Sequence, residues 1–215
     1  MVLKCKQNNL HYIKVKFKEC LKRYCPDMVI DDDNRDVFTN ISDWLIRNKN
    51  GVYDPTKGLW ICGNIGTGKS TLMKAVLWFI HCYWRLDCGT TLNPKWENVP
   101  EFCGKYAVSG FSVFETIPMG LDELGTEIFP TNHSGNKLNV VAHILNVIYD
   151  RNADLPYIVT TNRSMKAILD NYGPRSVDRV GQLFNIVELN GKTRRPSTEV
   201  WNMIKAEENG NQEAK

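Results

Sequence analysis

At 215 residues, 42% hydrophobic and 24% charged, the chain has material for one α/β core with appended elements and the composition of an ordinary globular protein. Its net charge of +3 decides little, although "KCKQNNLHYIKVKFKECLKR" and "GKTRRP" are local basic clusters that suit either phosphate contact or a solvated face. Seven cysteines with no C-x-x-C pair argue against a disulfide framework, and the longest apolar run, "AVLWFIHCYW", is too short to span a bilayer.

The first ten residues have no apolar signal core, so a cytoplasmic protein without membrane attachment is expected. Residues 1–50 read as a helical, polar flank. Within it, "DDDNRDVFTNISDWLIRN" opens on acids, as suits a helix N-terminus, and then repeats Val37, Ile41, Trp44 and Leu45 at helical spacing. "KNGVYDPTKG" is a turn-rich connector. "LWIC" reads as a strand buried on both faces, followed by a glycine loop and a helix from Lys69 to Arg85. Residues 86–110 read as an irregular surface excursion, with one strand in "YAVSGFSVF". "IPMGLDELG" is a second strand ending in acids, and Pro118 requires it to start at Met119 or to bend. "NKLNVVAHILNVIYDRN" reads as a helix with Leu138, Val141, Ile144, Leu145 and Ile148 on one face. "LPYIVTTN" is another buried strand, "SMKAILDNYG" a helix closed by Gly173, "SVDRVGQL" a short helix and "FNIVEL" a strand. The C-terminal segment 198–215 reads as a helix and a frayed polar tail. This alternation predicts an α/β fold, a mainly parallel sheet flanked by helices, with its ligand beyond the carboxyl ends of the strands.

The chemistry-bearing residues fall at those ends. Gly63, Asn64, Ile65, Gly66, Thr67, Gly68, Lys69, Ser70 and Thr71 fit the phosphate-binding loop G-x-x-x-x-G-K-[ST]. Its glycines let backbone N–H groups surround an anion, and the helix that follows adds its positive end. Lys69, expected on an exposed loop, would reach the β- and γ-phosphates, and the Ser70 hydroxyl would ligate Mg²⁺. Asp122 and Glu123, at a strand end, suit a metal-holding carboxylate and a base that polarises water. Asn162 suits either a γ-phosphate contact or a turn. Arg175 and Arg179, at i and i+4, are either a surface pair satisfied by Asp178 or a neighbour, or a finger that reaches another subunit's nucleotide. Arg194 or Arg195 would clamp the nucleotide within the same subunit. A zinc site from His81, Cys82, Cys88 and Cys103 lacks the usual ligand spacing, and idle thiols are the better reading.

Taken in order, "GLWICGNIGTGKST", "GLDELGTE", "NKLNVVAHILNVIYDR", "PYIVTTN", "GPRSVDRV" and "LNGKTRRPS" resemble the motifs of AAA+ ATPases, and more narrowly the DnaC/IstB-like group. The resemblance implies a P-loop NTPase fold of the AAA+ ASCE type, with an ATPase core over 51–197 that uses ATP and Mg²⁺. By position, it implies Lys69 and Ser70 at phosphate and metal, Asp122 at the metal, Glu123 as hydrolytic base and Asn162 as sensor 1. It puts Arg179 ahead of Arg175 as the trans finger and Arg194 or Arg195 at sensor 2. It further implies a nucleotide-dependent homo-oligomer on DNA. Two partners are in keeping with it: a replicative helicase, with single-stranded DNA favoured, or a transposase, with duplex DNA. A non-hydrolysing adaptor and a small-molecule kinase are the readings of other classes. The first fifty residues match no specific loader domain, so whether they dock a partner is left open.

Overall fold

The computed structural model describes residues 3–5, 9–86, 88–151, 155–191 and 193. Five strands form one parallel sheet: β2 (Gly58–Cys62), β4 (Trp96–Asn98), β5 (Gly120–Leu124), β8 (Ile158–Thr161) and β9 (Phe184–Glu188). They lie side by side in the order β4-β5-β8-β2-β9. All four pairings are parallel. Parallel neighbours need crossovers, and helices supply them on both faces.

The central strands alternate between two cores. Leu59 and Ile61 of β2 point into a cluster shared with α1 (Leu10–Tyr24), α2 (Arg35–Leu45) and α3 (Lys69–Tyr83). Trp60 points the other way, among residues of α4 (Val99–Ser109), α5 (Val140–Arg151), α6 (Met165–Tyr172) and α7 (Pro174–Leu183). This period of two on a strand covered on both sides is what "LWIC" predicts. The expected stripe on α2 is present: Ile41, Trp44 and Leu45 are buried and Val37 packs at the edge. The helical part of the N-terminal segment is therefore packed into the core through Ile13, Phe17 and Leu21 of α1. Burying such side chains contributes roughly 1.5–3 kcal/mol each.

Four expectations are corrected. The helix after the glycine loop ends at Tyr83, because Trp84–Leu86 forms β3, paired antiparallel with β1 (Leu3–Cys5). The indole of Trp84 donates to Leu45 O at 3.0 Å, which ties that strand to the end of α2. Segment 86–110 is largely structured: β4 joins the sheet, and α4 buries Val99, Phe102, Cys103 and Tyr106. These sit at helical spacing with Pro100 in the first turn, where a missing N–H costs nothing. "YAVSGFSVF" is accordingly the end of α4 and a 3-10 helix over Gly110–Thr116, with no strand in it. The strand over "IPMGLDELG" meets the demand of Pro118: Met119 O accepts from Ile158 N at 2.8 Å, the strand runs Gly120–Leu124, and it bends at a bulge after Leu121. Finally, α5 starts at Val140, since Asn139 accepts from Ala142 N at 3.1 Å and caps it. The preceding Asn136–Leu138 is β7, which forms a hairpin with β6 (Thr131–His133) through Ser134 and Gly135, both at positive φ.

Candidate functional site

The glycine loop leaves β2 and enters α3 at the carboxyl end of the sheet. Gly63 sits at φ 141, and a Cβ there would stand 2.2 Å from Leu189 O. Only glycine lets the loop pass Leu189, which follows β9 and donates its N–H to Cys62 O at 2.8 Å. Gly68 caps α3 at φ 97, and no side chain caps the helix. The first-turn N–H groups are therefore presented to the loop's concave side, as an anion site requires. Thr67 is buried and closes the turn, donating to Asn64 O at 3.0 Å.

Lys69 differs from the exposed placement expected of it. It is the first residue of α3 and only 8% exposed. Its Nζ donates to Gly63 O at 2.9 Å and to Asn64 O at 2.6 Å, so the ammonium lies inside the turn with its stem covered.

Ser70 donates to Asp122 Oδ1 at 2.9 Å. Asp122 is 3% exposed, and Thr160 of β8 donates to the same Oδ1. Both hydroxyls use one carboxylate oxygen, which leaves Oδ2 without a hydrogen bond among the described residues. A hydroxyl beside an open carboxylate oxygen is a hard-oxygen pair, and it fits a magnesium ion with its usual complement of water and phosphate ligands.

Glu123 is exposed and sits in the left-handed region at φ 60. Its N–H donates to Thr160 Oγ1 at 3.0 Å. Asn162 follows β8 and is exposed. A cavity of about 690 Å³ is lined by the loop from Ile65 to Leu72 together with Glu123, Thr160, Thr161 and Asn162. That size is in the range of small-molecule sites. The N-terminal flank lines it as well, through Cys25, Asp27, Met28, Val29, Asn34, Val37 and Phe38. Asn34 shapes this wall by donating to Val29 O at 3.0 Å and accepting from Asp31 N at 3.0 Å.

The structure thus brings together Gly66, Gly68, Lys69, Ser70, Thr71, Glu123 and Asn162 around one cavity, with Asp122 behind Ser70. Arg175 and Arg179 do not line it. Arg175 is exposed at the start of α7. Arg179 is 4% exposed; its guanidinium lies over the Tyr149 ring at 4.8 Å and 3.9 Å from Asp150, both on α5. Its Nη1 is buried with no hydrogen-bond partner among the described residues. Asp178, a candidate partner, instead accepts from Gln182 at 2.7 Å. Arg194 and Arg195 lie outside the described residues, as does segment 198–215. Sequence reading missed Thr160 and the wall from residues 25–38. The two hydroxyls of "VTTN", at the end of a strand otherwise made of Ile158 and Val159, were the available signal for the first; nothing in the flank's sequence signalled the second.

A glycine loop between strand and helix, with the strand of the acidic pair separated from it by β8, defines a P-loop NTPase fold of the AAA+ type. Solved structures agree. The chain is similar to the DnaC helicase loader, with a TM-score of 0.56 and 17% identity over 78% of this chain and 98% of that one. It is equally similar to a putative primosome component from Streptococcus pyogenes serotype M3, with a TM-score of 0.56 and 20% identity over 84% and 98%. AMPPCP-bound DnaA from Aquifex aeolicus matches with a TM-score of 0.52 and 18% identity, over 83% of this chain and 57% of that one. At these identities the likeness establishes the fold. No protein-family model matches the chain, and no curated protein matches it. Among the described residues, no helix is long and apolar enough to cross a membrane.

Proposed function

We propose that this chain is an ATP-binding and ATP-hydrolysing protein that acts on DNA in the cytoplasm as a helicase loader of the DnaC kind. The observation that carries this reading is the convergence, around one cavity, of the uncapped α3 N-terminus, Lys69, Ser70 bonded to Asp122, and the exposed Glu123. The triphosphate lies along the loop, where N–H groups and Lys69 meet its charge; Lys69 exchanges the carbonyls of Gly63 and Asn64 for phosphate oxygens. Ser70 and Asp122 would hold Mg²⁺, which when bound would neutralise developing phosphate charge. Glu123 accepts the proton of the attacking water, and Asn162 orients that water or the γ-phosphate. Residues of the 25–38 segment, which line the same cavity, contact the nucleobase.

Arg175 and Arg179 act on the nucleotide of a neighbouring subunit. Arg175 is exposed for this. Arg179 is already desolvated with an unsatisfied Nη1, and reaching a neighbour's anion requires it to leave the Tyr149 ring and the 3.9 Å contact with Asp150. Arg194 or Arg195 completes the site in cis. The ATPase core spans 51–197, and the flank 1–50 docks the helicase partner. The similar structures, which include DnaA bound to AMPPCP and single-stranded DNA, support this choice of ligands.

The test is ATP turnover without DNA, with single strands and with duplex, against Glu123→Gln. Stimulation by single strands and loss of turnover in the variant are expected. Stimulation by duplex alone would point to a transposase helper. Nucleotide binding without turnover under every condition would leave an adaptor.

A further inference from the structure

We propose that Thr160 is the positioning residue of the acidic pair: its buried hydroxyl, bonded at once to Asp122 and to the Glu123 backbone, sets where both carboxylates of β5 stand. This rests on the ATPase reading above and adds a residue to it.

The reasoning begins with a break in the sheet. β5 and β8 pair in register at Gly120↔Ile158 and Leu121↔Val159, and resume at Leu124↔Thr161. Two residues of β5, Asp122 and Glu123, thus stand opposite the single Thr160, which is a β-bulge. The bulge turns Glu123 to φ 60 and outward to the cavity, while Asp122 stays buried beside Ser70. An L-residue in that conformation is uphill, so its surroundings must hold it there.

Side chains at the end of β8 do this. Thr161 donates to Leu124 O at 2.7 Å, and Arg163 Nε donates to Gly125 O at 2.8 Å. Those two fix the backbone beyond the bulge. Ser70 holds Asp122 alone and Thr126 holds only the Glu123 carbonyl, at 2.7 Å; Thr160 joins the two acids, its Oγ1 donating to Asp122 Oδ1 and accepting from Glu123 N at 3.0 Å. A hydroxyl has one proton, so giving it to the carboxylate leaves the lone pairs for the amide. The same atom therefore orients the carboxylate that faces the metal and anchors the backbone that carries the base. Packing alone would place valine here, since Thr160 is 1% exposed beside Val159; an unbonded hydroxyl would be costly at that depth.

The experiment uses the full chain with Thr160→Val, Thr160→Ser and, for comparison, Thr161→Val. The Thr161 variant removes a buried hydroxyl from the same strand without contact to either acid. Three quantities are read: affinity for a fluorescent ATP analogue, kcat and KM for ATP, and amide hydrogen exchange over residues 120–125. Thr160→Val is expected to bind the analogue like the parent, to lose kcat by about 10²-fold as expected of a misplacement near 1 Å, and to exchange faster over 120–125. Thr160→Ser restores both kcat and protection. Parent-like kcat in Thr160→Val, or equal loss in Thr160→Val and Thr161→Val, overturns the assignment. So does unchanged exchange over 120–125, a readout that stands without turnover. A parent that binds the analogue but never turns over sinks the ATPase reading, and exchange then decides Thr160 alone. If Thr160→Val does not fold, Thr160→Cys carries the same comparison with a weaker donor and acceptor.

Discussion

The left-handed backbone at Glu123 makes a prediction whose sign is opposite to that of an ordinary strand. In a strand interior, glycine is less stable than alanine by roughly 0.5–1 kcal/mol, because it loses more freedom on folding. At Glu123 the φ of 60 adds a penalty of about 1–2 kcal/mol for any residue with a Cβ. Glycine escapes that penalty, so Glu123→Gly should be more stable than Glu123→Ala by about 0.5–1 kcal/mol. Both variants remove the same exposed carboxylate, so their difference isolates the backbone. Urea unfolding followed by circular dichroism measures it as a shift in midpoint at constant slope. For a domain of this size the melting temperatures should differ by about 1–4 °C, with glycine higher. Both variants should be inactive in ATP turnover. Alanine more stable than glycine by the ordinary strand margin would refute the reasoning, because Glu123 would then hold no strain that the bulge must maintain.

Three further outcomes are expected. Lys69→Ala should weaken binding of a fluorescent ATP analogue by at least about tenfold, while costing about 3–6 kcal/mol in urea unfolding for the two charge-assisted carbonyl bonds it loses; unchanged analogue binding in a folded variant would make Lys69 chiefly structural. Arg179→Met should keep stability within about 1 kcal/mol of the parent, since it removes a buried charge with an unsatisfied Nη1, yet abolish nucleotide-dependent assembly seen by light scattering. Stability should also fall as pH rises above about 9. Burial pushes the Cys20 thiol from 9.0 up to about 12 and that of Cys103 from 9.0 up to about 11. Both are therefore protonated in the folded chain when the unfolded chain has lost the proton. Their contribution is complete below 9.0 and is lost as pH climbs to about 11 and 12, at about 1.4 kcal/mol per pH unit for each. Urea midpoints between pH 8 and 11 check this against the double Cys→Ala variant, which should show a shallower decline.

Much of the fold was legible because its signals are local. A strand buried on both faces announces itself as an apolar run, and the glycine loop combines residues that only one turn geometry uses. "LWICGNIGTGKS" therefore yields β2, the loop and the start of α3. The misreadings come from segments where two local preferences compete. Aromatic and β-branched residues in "YAVSGFSVF" suggest a strand, yet Val99, Phe102, Cys103 and Tyr106 already carry a helical period that begins upstream of the quoted stretch. Asn139 interrupts what reads as one continuous helix, because a capping amide looks like any polar residue until its partner N–H is known.

The site divides along the same line. Residues whose proposed role depends on their own chemistry, such as Lys69, Ser70 and Asp122, can be put forward from spacing. Those whose role depends on what lies across the sheet cannot. Arg175 and Arg179 look alike at i and i+4, but one is exposed and the other is desolvated against Tyr149 of α5. Thr160 and Thr161 are adjacent and identical, yet strand alternation sends one hydroxyl to the acids and the other to Leu124 O. That separation makes the comparison of Thr160→Val with Thr161→Val informative: the substitution, burial and strand are shared, and each hydroxyl bridges two partners, the acidic pair for Thr160 but Leu124 O and Arg163 N for Thr161.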